Sequence, residues 1–172
     1  MSDYSGFAET RGSIDAPAAA VFDFLDDQAN LSAHMGKSSG MMLGSAMAIH
    51  MEPDHTRSVG SAFGFTGKVL GVPLKVEEVV TGREPPSRKT WETTADPSLW
   101  VIGRYQMGFE LTPDGRVTNM RVYIRYALPS GGLPWLLGRL LGRWYAVWCT
   151  GQMVSDAQKH FVAPSTSAAT AL

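Results

Sequence analysis

Glu78 is the residue best placed to bring acid–base chemistry inside this chain. It shares strand parity with Val76 and Val80 in the run Val76-Glu77-Glu78-Val79-Val80. If that face points inward, the carboxyl is buried, its pKa rises and it becomes a candidate acid or base. If the strand bulges near Gly71 or Gly82, Glu78 faces water instead. His34 follows Leu31 on a short helical stretch, and an imidazole can act as base, acid or ligand anchor near neutral pH. The same position also reads as a partly exposed helix residue. Tyr105 and Tyr126 fall on the apolar parities of their strands, so each brings a hydroxyl that needs a partner when buried and can orient a ligand. A core tyrosine bonded to backbone fits that pattern too. Arg104, Arg121 and Arg125 lie opposite the apolar parities, the pattern of a solvated outer face rather than of an anion clamp.

Other chemistries leave no trace. The one cysteine, Cys149, can form neither an internal disulfide nor a cysteine-based zinc site. His50, His55 and His160 have no companion ligands at metal-binding spacing. There is no glycine-rich phosphate loop and no G-x-S-x-G elbow, so no metal or cofactor is expected. Net charge is −1 with no basic run, which lacks the electrostatic footprint of a nucleic-acid binder. Met1 to Glu9 shows no cationic start and no apolar run, and the most apolar stretch, Leu133 to Cys149, is short and interrupted by Arg139 and Arg143. No secretory signal or transmembrane segment is expected, and the cytoplasm is the expected location.

These side chains need elements to position them. Phe7 to Ile14 reads as a strand, Asp15-Ala16-Pro17 starts a helix with proline at its first position, and Ala18 to Asp26 carries Val21, Phe22 and Leu25 at helical spacing. Asp26-Asp27 opposes the macrodipole at the helix end, so the helix should be short. Asn30 to Met35 reads as a second short helix. Strands follow over Met41 to Met51, Val59 to Val69, Val72 to Thr81, Arg88 to Ala95, Leu99 to Thr112 and Val117 to Leu128, divided by turn signals such as Pro53-Asp54 and Pro113-Asp114-Gly115. Connections this short favour antiparallel pairing. Leu133 to Phe161 is predicted to be one long helix. Its Leu133, Leu137, Leu140, Leu141, Trp144 and Trp148 form an apolar stripe, read as the face that packs on the sheet, with Arg139 and Arg143 on the other side. The expected division is an N-terminal lead over 1–6, a domain over 7–161 and a disordered tail over 162–172.

One stretch carries a family resemblance. Ile14-Asp15-Ala16-Pro17-Ala18-Ala19-Ala20-Val21-Phe22-Asp23-Phe24-Leu25 resembles the opening of START-like (SRPBCC) proteins, which commonly read I-x-A-P-x-x-x-V-[FW]-x-x-[LI]. Asn30-Leu31-Ser32-Ala33-His34-Met35 is similar to their next element, usually N-L-x-x-W, with His34 where tryptophan is usual. The likeness continues through Gly60 and through Val76 to Val80 running into Pro85-Pro86-Ser87-Arg88, and spans residues 7–161. It implies an α+β helix-grip fold: a curved seven-stranded antiparallel sheet around a long C-terminal helix, with two short helices after the first strand. It also implies a cavity between sheet and helix. The family includes lipid carriers, quinone-binding proteins, polyketide cyclases/dehydrases and plant hormone or allergen-type binders.

The inward parities supply mainly carbon, and nine methionines offer adaptable apolar surface as well as core filling. The expected partner is an apolar or amphipathic small molecule: a lipid, a quinone or a polyketide-like compound. The expected cavity residues are His34, Phe63, Phe65, Glu78, Trp91, Tyr105, Met107, Val122, Ile124, Trp144 and Trp148, with Tyr105, Glu78 and His34 as polar anchors. Two other functions stay open. One is a cyclase/dehydratase-type enzyme with Glu78, His34 or a tyrosine as general acid or base. The other is a membrane- or partner-docking module using Leu133 to Leu141.

Overall fold

Alternation along the strands decides which face becomes the core. Between Tyr105 and Asp114 the side chains of Tyr105, Met107, Phe109 and Leu111 are buried, while Gln106 and Glu110 on the other parity remain half-buried. The computed structural model describes residues 4–32, 47–54, 56–69, 72–97 and 99–162. Its elements are β1 (Gly6–Ile14), α1 (Ala18–Asp26), α2 (Gln28–Leu31), β2 (Met47–Met51), β3 (Ala62–Val69), β4 (Val72–Glu84), β5 (Arg88–Thr93), β6 (Tyr105–Asp114), β7 (Val117–Tyr126) and α3 (Gly132–Phe161). The strands form one seven-stranded sheet in the order β1-β7-β6-β5-β4-β3-β2, with every neighbouring pair antiparallel. This is the α+β helix-grip arrangement, with two short helices after β1 and the long helix against the sheet.

Several boundaries differ from the sequence expectation, each for a local reason. Pro17 stands as the cap before α1 rather than inside it, and its carbonyl accepts the Val21 N–H at 3.1 Å. The second helix covers Gln28–Leu31 instead of Asn30 to Met35 because Asp27 starts it: its Oδ1 accepts the Ala29 N–H at 2.9 Å. The strand expected from Leu99 begins only at Tyr105, since β5 stops pairing with β6 at Glu92. The segment before it is tied to the end of β7 by Gly103 N–H to Ala127 O (2.9 Å) and Ala127 N–H to Arg104 O (2.8 Å), and Ile102 is buried there. His34, Met35, Met41, Met42 and His55 lie outside the described residues.

The acidic end of α1 is not the liability its charges suggest. Lys89, 0% exposed, donates from Nζ to the Asp26 backbone oxygen at 2.5 Å and to Thr56 Oγ1 at 3.2 Å, and lies 3.2 Å from Asp26 Oδ1. Arg83 donates from Nη2 to Asp26 Oδ2 at 2.8 Å. Burial acts to raise the Asp26 pKa, but the two cations outweigh it and hold the carboxylate below its usual range. A lysine at the helix C-terminus also complements the macrodipole. The cluster ties α1 to β4, β5 and the turn around Thr56.

The long helix corrects one reading outright. Most of the apolar stripe points away from the sheet: Leu133, Leu140 and Leu141 are exposed and Trp144 is 60% exposed, while Leu137 and Trp148 are half-buried, Trp148 against the core. The packed face instead carries Gly138, Gly142, Ala146, Cys149, Thr150, Met153, Val154 and Ala157. Small residues prevail there because the helix lies too close for anything larger. A Cβ on Gly142 would meet the Val101 carbonyl oxygen at 2.9 Å, and one on Gly138 would meet Pro129 Cδ at 2.7 Å.

Candidate functional site

A cavity lies between the sheet and the middle of α3. Its floor is Phe65 of β3, Val76 and Glu78 of β4, Trp91 of β5, Tyr105 and Met107 of β6 and Ile124 of β7. Tyr145, Cys149 and Met153, one helical turn apart on α3, form its roof. Gln28 of α2 with Ser32 just beyond it, and Leu99 with Ile102 from the irregular segment before β6, complete the wall. Its volume is about 40 Å³. That is room for a few waters, well below the ~150 Å³ of a cavity known to take up benzene. A larger guest therefore has to displace wall atoms, and the flexible side chains of Met107, Met153 and Leu99 are the ones suited to move.

Glu78 is the polar centre of this space. The bulge in β4 falls between Val80 and Gly82, after Glu78, so it leaves the inward parity of Glu78 intact. The carboxyl is 1% exposed. Burial pushes its pKa up to about 8, against the opposing pull of hydrogen-bond donors on Tyr105 and Trp91. Glu78 therefore holds its proton at neutral pH. Thr93 stands between it and Tyr105: Glu78 pairs with Thr93 across β4 and β5, and the Tyr105 N–H donates to Thr93 Oγ1 at 3.2 Å. The Tyr105 phenol is itself held protonated, by burial first and by Glu78 second.

Two polar oxygens in this wall are left over. Glu78 Oε2 and Gln28 Oε1 are buried and have no hydrogen-bond partner among the described residues, although Gln28 donates from Nε2 to Ser32 Oγ at 3.3 Å. With Tyr105 and Trp91 donating to the carboxyl of a neutral Glu78, its unpartnered oxygen carries the proton and is a donor, whereas Gln28 Oε1 is an acceptor. Buried polar groups without partners cost about 1–3 kcal/mol each. A guest with a hydroxyl, which can accept from Glu78 and donate to Gln28, would recover that cost. Cys149 does not add a nucleophile, because burial pushes its thiol up to about 12 and keeps it protonated. No group of three or more metal-ligating side chains occurs among the described residues.

Six of the expected site residues meet here: Phe65, Glu78, Trp91, Tyr105, Met107 and Ile124. Phe63 and Val122 are buried but pack within the core rather than on the wall. Trp148 is half-buried against the core with its ring 5.8 Å from that of Tyr145, and is also off the wall. Trp144 is on the outer face of α3, and His34 lies outside the described residues. Sequence reasoning missed Gln28, Ser32, Tyr145, Cys149 and Met153. The last three do repeat every four residues, a signal hidden by the larger side chains on the opposite face. Gln28 offers no pattern that would have marked it.

No family model matches this sequence, and no curated protein matches it. Solved structures do. TTHA0849 from Thermus thermophilus superposes with a TM-score of 0.67 at 14% identity, covering 94% of this chain and 100% of that one. Norcoclaurine synthase from Thalictrum flavum gives 0.64 at 13% identity, covering 92% and 87%. Major latex-like protein 151 from Panax ginseng gives 0.57 at 10% identity, covering 91% and 97%. At these identities the likeness is one of fold.

Proposed function

We propose that this chain, which has the START-like (SRPBCC) helix-grip fold, binds a small apolar molecule between sheet and α3 and orients it by hydrogen bonds to Glu78 and Gln28. The observation that carries this reading is the pair of unpartnered buried oxygens, Glu78 Oε2 and Gln28 Oε1, in a wall that is otherwise mainly carbon. The complementary ligand carries a hydroxyl, which accepts from the neutral Glu78 and donates to Gln28 Oε1, on a flat apolar body that Trp91, Phe65 and Tyr145 can contact. Quinols and phenolic polyketide-like compounds meet that description better than saturated fatty acids. The test is displacement of an environment-sensitive apolar dye by paired phenols and their methyl ethers. The phenol should win by about tenfold, the worth of one good hydrogen bond to the buried acceptor Gln28 Oε1, Gln28→Leu should abolish the difference, and Glu78→Leu should weaken both ligands. Equal affinity for phenol and ether would remove Gln28 from the reading, and affinities unchanged in Glu78→Leu would remove Glu78.

A second reading is favoured by one specific feature, the proton that Glu78 keeps up to about pH 8 beside Tyr105. A neutral carboxylic acid poised near working pH suits general-acid catalysis, for instance protonation of a carbonyl or leaving hydroxyl oxygen on the bound molecule. This is the cyclase/dehydratase possibility. Its mark would be turnover of a β-hydroxy ketone that Glu78→Gln abolishes while dye binding survives. Binding without turnover across such compounds would leave the carrier reading alone.

A further inference from the structure

The outward face of α3 is a feature that the cavity does not explain. Leu133, Leu136, Leu140, Trp144 and Val147 follow one another at three- and four-residue steps, so they form a single line. All are exposed, with Leu140 at 68%. Monomeric proteins rarely leave such a stripe uncovered without a use for it. The geometry forces it outward: Gly138, Gly142 and Ala146 occupy the sheet side, and no described element covers the other.

Charge identifies the occupant. Arg139 and Arg143 flank the line, both exposed, and no acidic residue occurs on α3 before Asp156. The Arg139 guanidinium sits over the ring of exposed Trp135 at 5.6 Å from its centroid. The same face of a second copy offers it no carboxylate. Pairing two copies across a twofold axis would gather four arginines with nothing to neutralise them. An anionic bilayer supplies the missing charge. It takes up leucines at the acyl boundary, accepts tryptophan at the headgroup level and leaves arginine heads in the polar layer.

We propose that the Leu133–Val147 face of α3 docks this protein peripherally on an anionic lipid bilayer, the helix lying in the interface. No helix among the described residues is long and apolar enough to cross a membrane, so the contact is with one surface. The experiment is flotation of the full chain with vesicles of phosphatidylcholine alone or mixed with phosphatidylglycerol, followed by quenching of tryptophan fluorescence with brominated lipid. The expected result is binding to the anionic vesicles with quenching. Arg139→Gln and Arg143→Gln should each weaken binding roughly fivefold, and Leu140→Ser with Trp144→Ser should abolish it. All four positions are exposed, so circular dichroism should show an intact fold. Binding to neither vesicle, or equal binding to both, overturns the proposal. So does micromolar self-association in sedimentation that the Leu140→Ser/Trp144→Ser variant relieves, because the face would then serve a second copy.

Discussion

The Glu78 carboxyl on β4 and the Tyr105 hydroxyl on β6 act on each other across the intervening strand β5, both buried in the cavity wall. Burial leaves Glu78 neutral rather than charged, outweighing the pull of the Tyr105 and Trp91 donors toward the charged form.

That neutrality has a stability consequence. Unfolded, Glu78 titrates near its ordinary value of 4.5, and folded near about 8. The folded state therefore holds the extra proton between those values, and stability falls as pH rises through the window. Below about 4.5 the two states do not differ at this site, and above about 8 the loss is complete. The total is about 3–5 kcal/mol at ~1.4 kcal/mol per pH unit. Glu78→Gln should flatten this slope and be the more stable protein on the alkaline side, as urea melts across the range would register. A slope unchanged by the substitution would mean that Glu78 is ionised in the folded protein.

Substitutions on the two faces of α3 should diverge. Trp144→Ala is expected to cost less than about 1 kcal/mol, not the ~3–5 kcal/mol of a buried tryptophan. Gly142→Val should cost about 1–3 kcal/mol, since its Cβ would meet the Val101 carbonyl oxygen at 2.9 Å. Thermal unfolding of both variants checks the orientation of the helix. The reverse ranking would put the tryptophan against the sheet.

The Lys89–Asp26 pair should behave as a buried unit. Lys89→Ala leaves Asp26 desolvated with Arg83 alone and is expected to cost about 3–5 kcal/mol. Pairing Lys89→Met with Asp26→Leu should cost clearly less than the sum of the two single changes, because neither charge is then stranded. Strict additivity in denaturant titrations would show that the two side chains do not interact.

Period-two alternation made most of the sheet legible in the sequence, including the inward placement of Tyr105, Met107 and Trp91. It also offered Glu78 as inward unless a bulge intervened, and the bulge at Val80–Gly82 comes too late in β4 to turn it. Alternation misjudged the stretch from Leu99, where tertiary bonds to Ala127 replace a strand. Periodicity on α3 found the right stripe and gave it the wrong neighbour. Large apolar side chains normally mark the buried face, but here close approach selects Gly138, Gly142 and Ala146 for that role. The roof residues Tyr145, Cys149 and Met153 were lost with that inversion. Gln28 reaches the cavity only because Asp27 restarts the chain as α2 at that point, which no hydrophobic pattern encodes.

The carboxyl carbon of Glu78 reports most directly whether a ligand enters the cavity. The protein carrying ¹³C-labelled glutamate is titrated with an alkylphenol and separately with its methyl ether, following the Glu78 resonance assigned by its loss in Glu78→Gln. The expected result is a saturable single-site shift of that resonance with the phenol and a markedly weaker response to the ether. A Glu78 resonance that stays still while tryptophan signals of the outer α3 face respond would contradict it, placing the apolar binding of this protein on its surface rather than within the sheet's grip.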